Sequence, residues 1–110
     1  MIPFNSQLTQ EKQKSWVKER GYGRNEIKEA NFNKGNFKRA NLKRSNFKED
    51  NLKRSNLLGT YLIKANLAGA NFTVDDLEWA NLSGAHFLLF GQLSKVKTLH
   101  NTKLDEDIPK

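Results

Sequence analysis

The chain repeats every five residues between Ala30 and Leu89. Twelve consecutive pentapeptides fit one frame, and they read ANFNK, GNFKR, ANLKR, SNFKE, DNLKR, SNLLG, TYLIK, ANLAG, ANFTV, DDLEW, ANLSG and AHFLL. The third residue is always Leu or Phe, and the first is always small or short. The second is Asn except at Tyr61, Asp76 and His86. A short period sustained this long indicates a repeat architecture and outweighs any local secondary-structure assignment.

A period of five fits neither an α-helix, which repeats every 3.6 residues, nor a flat strand, which repeats every two. The chain must therefore turn at a regular interval, and the simplest solution is a coil in which each pentapeptide forms one short side that ends in a tight turn. The first and third residues of each pentapeptide then point inward, because residues two apart in extended backbone face the same way. The other three face water, which agrees with their Asn, Lys, Arg and Gly content.

These pentapeptides resemble the pentapeptide-repeat family, whose motif is A(D/N)LXX. The resemblance covers somewhat more than half of the chain. It implies an all-β fold, a right-handed quadrilateral β-helix of about three coils, with short helical caps at one or both ends. In that fold four pentapeptides form one square turn, so residues twenty apart stack in one interior column. The predicted core ladder consists of Phe32, Phe37, Leu42, Phe47, Leu52, Leu57, Leu62, Leu67, Phe72, Leu77, Leu82 and Phe87.

The N-terminal flank, residues 1–24, is predicted to be partly helical. Ser6 or Thr9 could cap a helix that runs to about Arg20, and the glycines beyond it would stop the helix. One interpretation is a cap that lays Trp16 over the open first coil, since the end coils of solenoids otherwise expose apolar side chains and unpaired backbone. The alternative is a tether for a partner.

The repeat itself spans residues 25–89, and residues 90–110 follow it as a predicted C-terminal helical cap and tail. Leu93, Val96 and Leu99 fall at helical spacing, and the segment looks like tails that follow the repeats in other members of the family. We predict that it forms a lid over residues 87–90. A sealed last coil would leave the protein monomeric or weakly dimeric.

The composition excludes several classes of function. The chain has no Cys, so it forms no disulfide or zinc–thiolate site and has no thiol nucleophile. It contains no apolar run long enough for a signal peptide or a membrane span, and we expect a cytoplasmic protein. His86 and His100 have no partners at metal-ligand spacing, and an interior filled by Leu and Phe leaves no cavity for a catalytic site. We therefore predict no cofactor, no metal site and no enzymatic activity.

Positive charge is concentrated in the first half of the repeat. Residues 30–59 carry eight Lys or Arg and two acidic residues, whereas residues 60–89 carry one Lys and three acidic residues. The basic belt comprises Lys38, Arg39, Lys43, Arg44, Lys48, Lys53 and Arg54. In a four-sided coil these residues form a ring and not a stripe, so we predict no specific nucleic-acid function. A weak binder of nucleic acid or of anionic surfaces through this belt is the alternative function.

Leu58, Ile63, Val74 and Trp79 occupy outward positions at which the first coils carry mainly Lys, Arg or Glu. Exposed apolar clusters often mark partner sites, although packing between coils is the other interpretation. We therefore predict a non-enzymatic module that serves as a protein-interaction scaffold for an unknown partner. The gyrase-protecting members of the family imitate DNA with long acidic rods, and the basic charge and short length of this chain disfavour that activity.

Asp50 and Asp75 occupy the small inward position, where an unpaired carboxylate would be costly to bury. Ser55 stands one coil before Asp75 and could satisfy it with its hydroxyl or with turn amides. Each aspartate is therefore either a hydrogen-bonded turn residue or a contact for an ion or ligand.

Overall fold

The backbone of the repeat pairs with itself every twenty residues. The computed structural model describes residues 7–20 and 31–109. Within them, eight parallel bridges join residues twenty apart, from Asn31 with Asn51 to Asn66 with His86. Each is a bridge between single residues, and the described residues form no extended strand. One coil therefore contains four pentapeptides, as predicted, and we number the coils first (31–50), second (51–70) and third (71–90).

Each pentapeptide closes with a tight turn at its fourth and fifth residues. The carbonyl of the buried third residue accepts a hydrogen bond from the N–H three residues later, as in Gly35 N to Phe32 O at 2.8 Å. The fifth residue has a positive φ of 57–67° in eleven consecutive pentapeptides, from Lys34 to Gly84. A positive φ at this point of the turn is the geometry of type II turns. The turns therefore explain the period of five.

The Asn at the second position supports each turn from outside. In ten pentapeptides the Oδ1 of this Asn, or of Asp76, accepts a hydrogen bond from the backbone N–H two residues later, at 2.9–3.2 Å. Among the described repeat residues this N–H donates to no backbone carbonyl, so a short side chain with an acceptor is the natural partner for it. The preference for Asn is thus a requirement of the turn.

The core ladder follows the sequence except at its last member. Eleven of the predicted residues are buried, each with no more than 2% of its surface exposed. Phe87 is the error, because it is 71% exposed while its neighbour Leu88 is 5% exposed. The positive φ that should next fall at Leu89 falls two residues early, at Phe87. This early turn carries the Phe87 ring outward and brings Leu88 inward in its place.

Helix α1, Gln10–Arg20, lies at the N-terminal end of the stack. Thr9 caps it by accepting a hydrogen bond from the Lys12 N–H at 3.2 Å, whereas Ser6 lies outside the described residues. Trp16 meets Phe32 edge to face, with ring centroids 5.5 Å apart. The predicted glycine stop and the first repeat residues, 21–30, also lie outside the described residues.

Glutamine side chains of α1 make the hydrogen bonds to the first coil that the backbone of a preceding coil would make. Gln13 Oε1 accepts from the Asn36 N–H at 2.7 Å, and Gln10 Nε2 donates to the Lys38 carbonyl at 2.8 Å. One coil later the equivalent N–H, that of Asn56, donates to the carbonyl of Gly35. Side chains of α1 thus satisfy backbone polar groups of the first coil that the backbone of another coil would otherwise satisfy.

The C-terminal helix is shorter than predicted. Helix α2 spans only Phe90–Leu93, and the chain after it rejoins the stack. Thr98 forms a parallel bridge with Asp76, and Lys103 forms one with Asn81. The reason is that the third coil has backbone N–H groups in need of acceptors, and the tail carbonyls of Lys95, Thr98, His100 and Lys103 accept from Val74, Leu77, Trp79 and Leu82.

The tail covers less of the end coil than the predicted lid. Leu88 is buried, but Phe87, Leu89 and Phe90 remain exposed, because the tail crosses two columns of the third coil and leaves the others. Above one of the uncovered columns, the Gln92 side chain supplies hydrogen bonds that the backbone of a further coil would otherwise make. Its Nε2 donates to the carbonyls of Leu67 and Ala70 at 2.8 and 2.9 Å. Glutamine caps therefore occur at both ends of the stack.

Candidate interaction surface

Tyr61 breaks the Asn rule in the middle of the repeat. It pairs normally through its backbone with Asn41 and Asn81, yet the one acceptor of its side chain, the phenolic oxygen, lies across the ring, too far from the backbone to replace the Asn Oδ1. Half of its surface is exposed. The position thus carries a large exposed aromatic ring where the turn favours a short polar side chain.

Val74 and Trp79 are bulky residues at the strained position of the turn. Their φ angles are 64° and 62°, in the left-handed region that disfavours side chains, β-branched ones most of all. Both are largely exposed, Trp79 to 61%. Neither the burial of an apolar side chain nor the backbone geometry explains why these two residues are present.

Leu58 and Ile63 follow buried core residues of the second coil and are half-buried. Leu58 lies on the side built on Phe37 and Leu57, whereas Ile63 and Tyr61 lie on the next side, built on Leu42 and Leu62. The turn that holds Trp79 joins these two sides one coil later. The predicted interaction residues therefore lie on neighbouring parts of the second and third coils. The sequence prediction omitted Tyr61, although its departure from Asn was the signal. We call Leu58, Tyr61, Ile63, Val74 and Trp79 the apolar surface.

Charged residues border the apolar surface with opposite signs. Asp76 and Glu78 lie between Val74 and Trp79 in the third coil, and Arg39 lies at the same turn as Trp79 two coils earlier. Gly59 separates Arg39 from Trp79, and a Cβ at Gly59 would lie 3.2 Å from Arg39 Cγ. The glycine thus leaves room for the Arg39 side chain to pack against this turn.

The basic belt surrounds the first coil and the start of the second. Six of its residues are exposed and Lys53 is half-buried. Since twenty residues make one coil, Lys38, Lys43, Lys48 and Lys53 lie on four different sides. The phenylalanines between them, Phe37 and Phe47, point inward and are fully buried. The belt therefore offers charge on every side without an aromatic platform among its residues.

Asp75 is a fully buried carboxyl group inside the stack. Its Oδ1 accepts a hydrogen bond from the Ser55 backbone N–H at 2.8 Å, while its Oδ2 has no partner among the described residues. Burial raises the pKa of Asp75 to about 8, and the Ser55 hydrogen bond opposes this rise. Asp75 thus receives a turn amide from Ser55, as one interpretation expected, while the Ser55 hydroxyl donates to the Phe32 carbonyl at 2.9 Å. Asp50, the other inward aspartate, is also buried.

The described residues bring together no cluster of three or more His, Cys, Asp or Glu side chains that could hold a metal ion. His86 is exposed, with its ring centroid 6.2 Å from that of Phe87. His100 is exposed on the C-terminal tail. In the same parts of the chain, no helix has the length and apolar character needed to cross a membrane.

Comparison with known proteins agrees with the geometry of the repeat. The family model described as "Pentapeptide repeats (8 copies)" matches residues 27–49 and 50–73. Among curated proteins, none matches the chain. The matched segments contain the first two coils, in which buried Leu or Phe, supporting Asn and positive-φ turns recur every five residues. The chain therefore contains pentapeptide repeats across residues 27–73.

Proposed function

We propose that this protein is a non-catalytic scaffold that binds another protein through the apolar surface. Proteins built from pentapeptide repeats are generally non-catalytic. The observation that carries the proposal is Trp79, which is 61% exposed on a backbone with a φ of 62°. An exposed indole at a strained position contributes little to the stability of the free protein, and such residues cluster where a partner or ligand is bound.

The other members of the surface support the same interpretation. Val74 places a β-branched side chain at the positive-φ position, which the other turns fill with Gly or with a residue unbranched at Cβ, and Tyr61 replaces the Asn that supports most other turns. Each departs from the residue type that its neighbours carry. Departures of this kind from local consistency are expected at functional positions, since natural sequences otherwise agree with their fold at every level.

We infer that the scaffold is a right-handed quadrilateral β-helix, the fold common to the family. Four pentapeptides per coil and parallel bridges twenty residues apart support this inference. Such a solenoid presents flat, regular sides that differ only in the side chains of the outward positions. A partner would therefore recognise this protein by the few residues that break the pattern.

Site-specific photo-crosslinking tests the proposal. A photoreactive amino acid at position 79 should crosslink to a discrete partner in extracts of the source cell, and mass spectrometry should identify it. The matched control is the same amino acid at position 44, which has the same turn geometry on the basic belt. The partner should then bind the purified protein and lose most of its affinity for Trp79→Gly, but not for Lys64→Gly. Equal binding of the partner to both variants would refute the proposal.

The alternative function is weak binding of nucleic acid or anionic surfaces through the basic belt. Its support is the exposure of six of the seven belt residues. Its weakness is their distribution over four sides, which limits how many can meet one rigid duplex. A salt titration separates the two functions, because belt binding depends on counterion release whereas apolar contact does not.

A further inference from the structure

A cavity of about 550 Å³ lies at the C-terminal end of the stack. It forms where the period of five breaks, because the early turn at Phe87 leaves part of the third coil without a following pentapeptide. The C-terminal tail forms the opposite wall. Phe87, Leu88, Leu89, Ile108 and Pro109 contribute to its lining. The cavity lies apart from the residues of the apolar surface.

The walls of this cavity are held by hydrogen bonds. The Phe90 N–H donates to the Pro109 carbonyl at 2.6 Å, which ties the end of the tail to the start of α2. The Gly84 N–H donates to both carboxylate oxygens of Asp105 at 3.1 Å, which fixes the tail above the last turn. The space is therefore bounded on two sides by anchored backbone.

The charged side chains that line the cavity are all negative. Most of the lining is apolar, and its charged groups are the carboxylates of Asp105 and Asp107. The described residues that line it include no Lys, Arg or His, although the whole chain carries a formal net charge of +7. The lining thus attracts positive charge and repels anions, in contrast to the basic belt at the other end of the stack.

We propose that this cavity binds an organic cation, a small molecule with an apolar body and an ammonium group. The apolar body contacts Leu89 and Ile108, and the ammonium lies at the rim between Asp105 and Asp107. The ring of Phe87 offers a further surface for the cation. A volume of about 550 Å³ falls within the range of small-molecule sites, which combine apolar walls with a few convergent polar groups.

Titration with 2-phenylethylamine, followed by amide NMR shifts, tests the proposal. Saturable shifts are expected at Gly84, at residues 87–89 and at residues 105–108. The matched probes are 2-phenylethanol, which lacks the charge, and 3-phenylpropionate, which reverses it. The alcohol should bind more weakly and the acid should not bind. Equal binding of the amine and the alcohol, or shifts that concentrate around Trp79, would overturn the assignment.

Two neighbouring variants test the role of charge. Asp107→Asn should weaken binding of the amine about three- to fivefold, the upper part of the range for exposed ion pairs. Glu106→Gln removes the same charge from the adjacent residue, which does not line the cavity, and should leave binding within about twofold. Thermal unfolding of both variants checks that the fold is kept. An equal loss in both variants would show that only the general charge of the tail matters, and would refute the site.

Discussion

At the scale of single residues, Asp75 makes stability depend on pH. Burial raises the pKa of its carboxyl group from 3.8 to about 8. Between these values the folded protein keeps a proton that the unfolded chain releases, so unfolding releases a proton and stability falls as pH rises. The contribution of Asp75 is thus complete below about pH 4 and is lost as pH approaches 8. The slope can reach about 1.4 kcal/mol per pH unit.

Asp75→Asn should remove this dependence, because the amide resembles the protonated acid and can still accept from the Ser55 N–H. Denaturant unfolding at pH 4 and pH 8 measures it: the variant should lie close to the wild type at pH 4 and exceed it at pH 8. Asp76→Asn is the control, since that half-buried side chain only supports the Glu78 turn, and it should follow the wild type. A uniform loss of stability in Asp75→Asn at both pH values would contradict the argument.

Val74 is expected to weaken the fold. Val74→Gly should raise the free energy of unfolding by about 1 kcal/mol, since glycine adopts a φ of 64° without the strain of a β-branched side chain. Ile63→Gly, at a half-buried position without this φ, should instead lower it. Urea unfolding of both variants gives the comparison. A loss of stability in Val74→Gly would show that the valine packs usefully, and would weaken the case for a functional role.

At the scale of elements, the caps depend on glutamine. Gln92→Glu keeps the acceptor for the Leu89 N–H but removes both donors to the carbonyls of Leu67 and Ala70. The expected loss is about 1–3 kcal/mol, because the Ala70 carbonyl loses its side-chain donor and the Leu67 carbonyl keeps only the Ala70 N–H. Self-association should also increase, because the end of the stack becomes an open edge.

Asn71→Asp is the control for this exchange of amide for acid. The Asn71 side chain accepts hydrogen bonds from the Thr73 N–H and hydroxyl, and an aspartate can do the same. The free energy of unfolding of the variant should therefore stay within about 0.5 kcal/mol of the wild-type value. Denaturant unfolding and light scattering measure the two effects. If both variants behave alike, the added charge and not the lost donors would be responsible.

The two ends of the stack were less predictable from the sequence than its middle. The period of five was sufficient to predict eleven of the core residues, since each coil repeats the packing of the one before it. Phe87 was predicted wrongly because AHFLL still fits the motif, although the turn falls two residues early, at Phe87. The role of Gln13 and Gln92 was not predictable either, since it depends on which backbone groups the last coils leave unpaired. Val74 and Trp79 stood out because their side chains differ from the usual outward residues.

At the scale of the whole molecule, the basic belt should give weak and nonspecific binding to nucleic acid. A duplex lying on one side of the prism meets about two or three of its residues, which predicts a slope of about −2 to −3 in log K against log salt. Titrations of DNA and RNA at 50 and about 150 mM salt measure this slope. Because the charge is a ring, Lys38→Gln with Arg39→Gln should reduce binding no more than Lys43→Gln with Arg44→Gln. Submicromolar affinity at the higher salt would favour the alternative function.

Because one coil contains twenty residues, the number of residues in the repeat sets how far the C-terminal tail is rotated about the stack axis relative to α1. Bridges between residues twenty apart mean that four inserted pentapeptides would raise the C-terminal tail by one coil, about 4.8 Å, without rotating it against α1. One inserted pentapeptide would instead turn the tail and its cavity by a quarter of a revolution about the stack axis. The number of repeats therefore sets the azimuth between the two ends of the molecule, as well as its height. Evolution by whole pentapeptides can thus rotate one end of such a protein relative to the other while the coils keep the same type of backbone pairing.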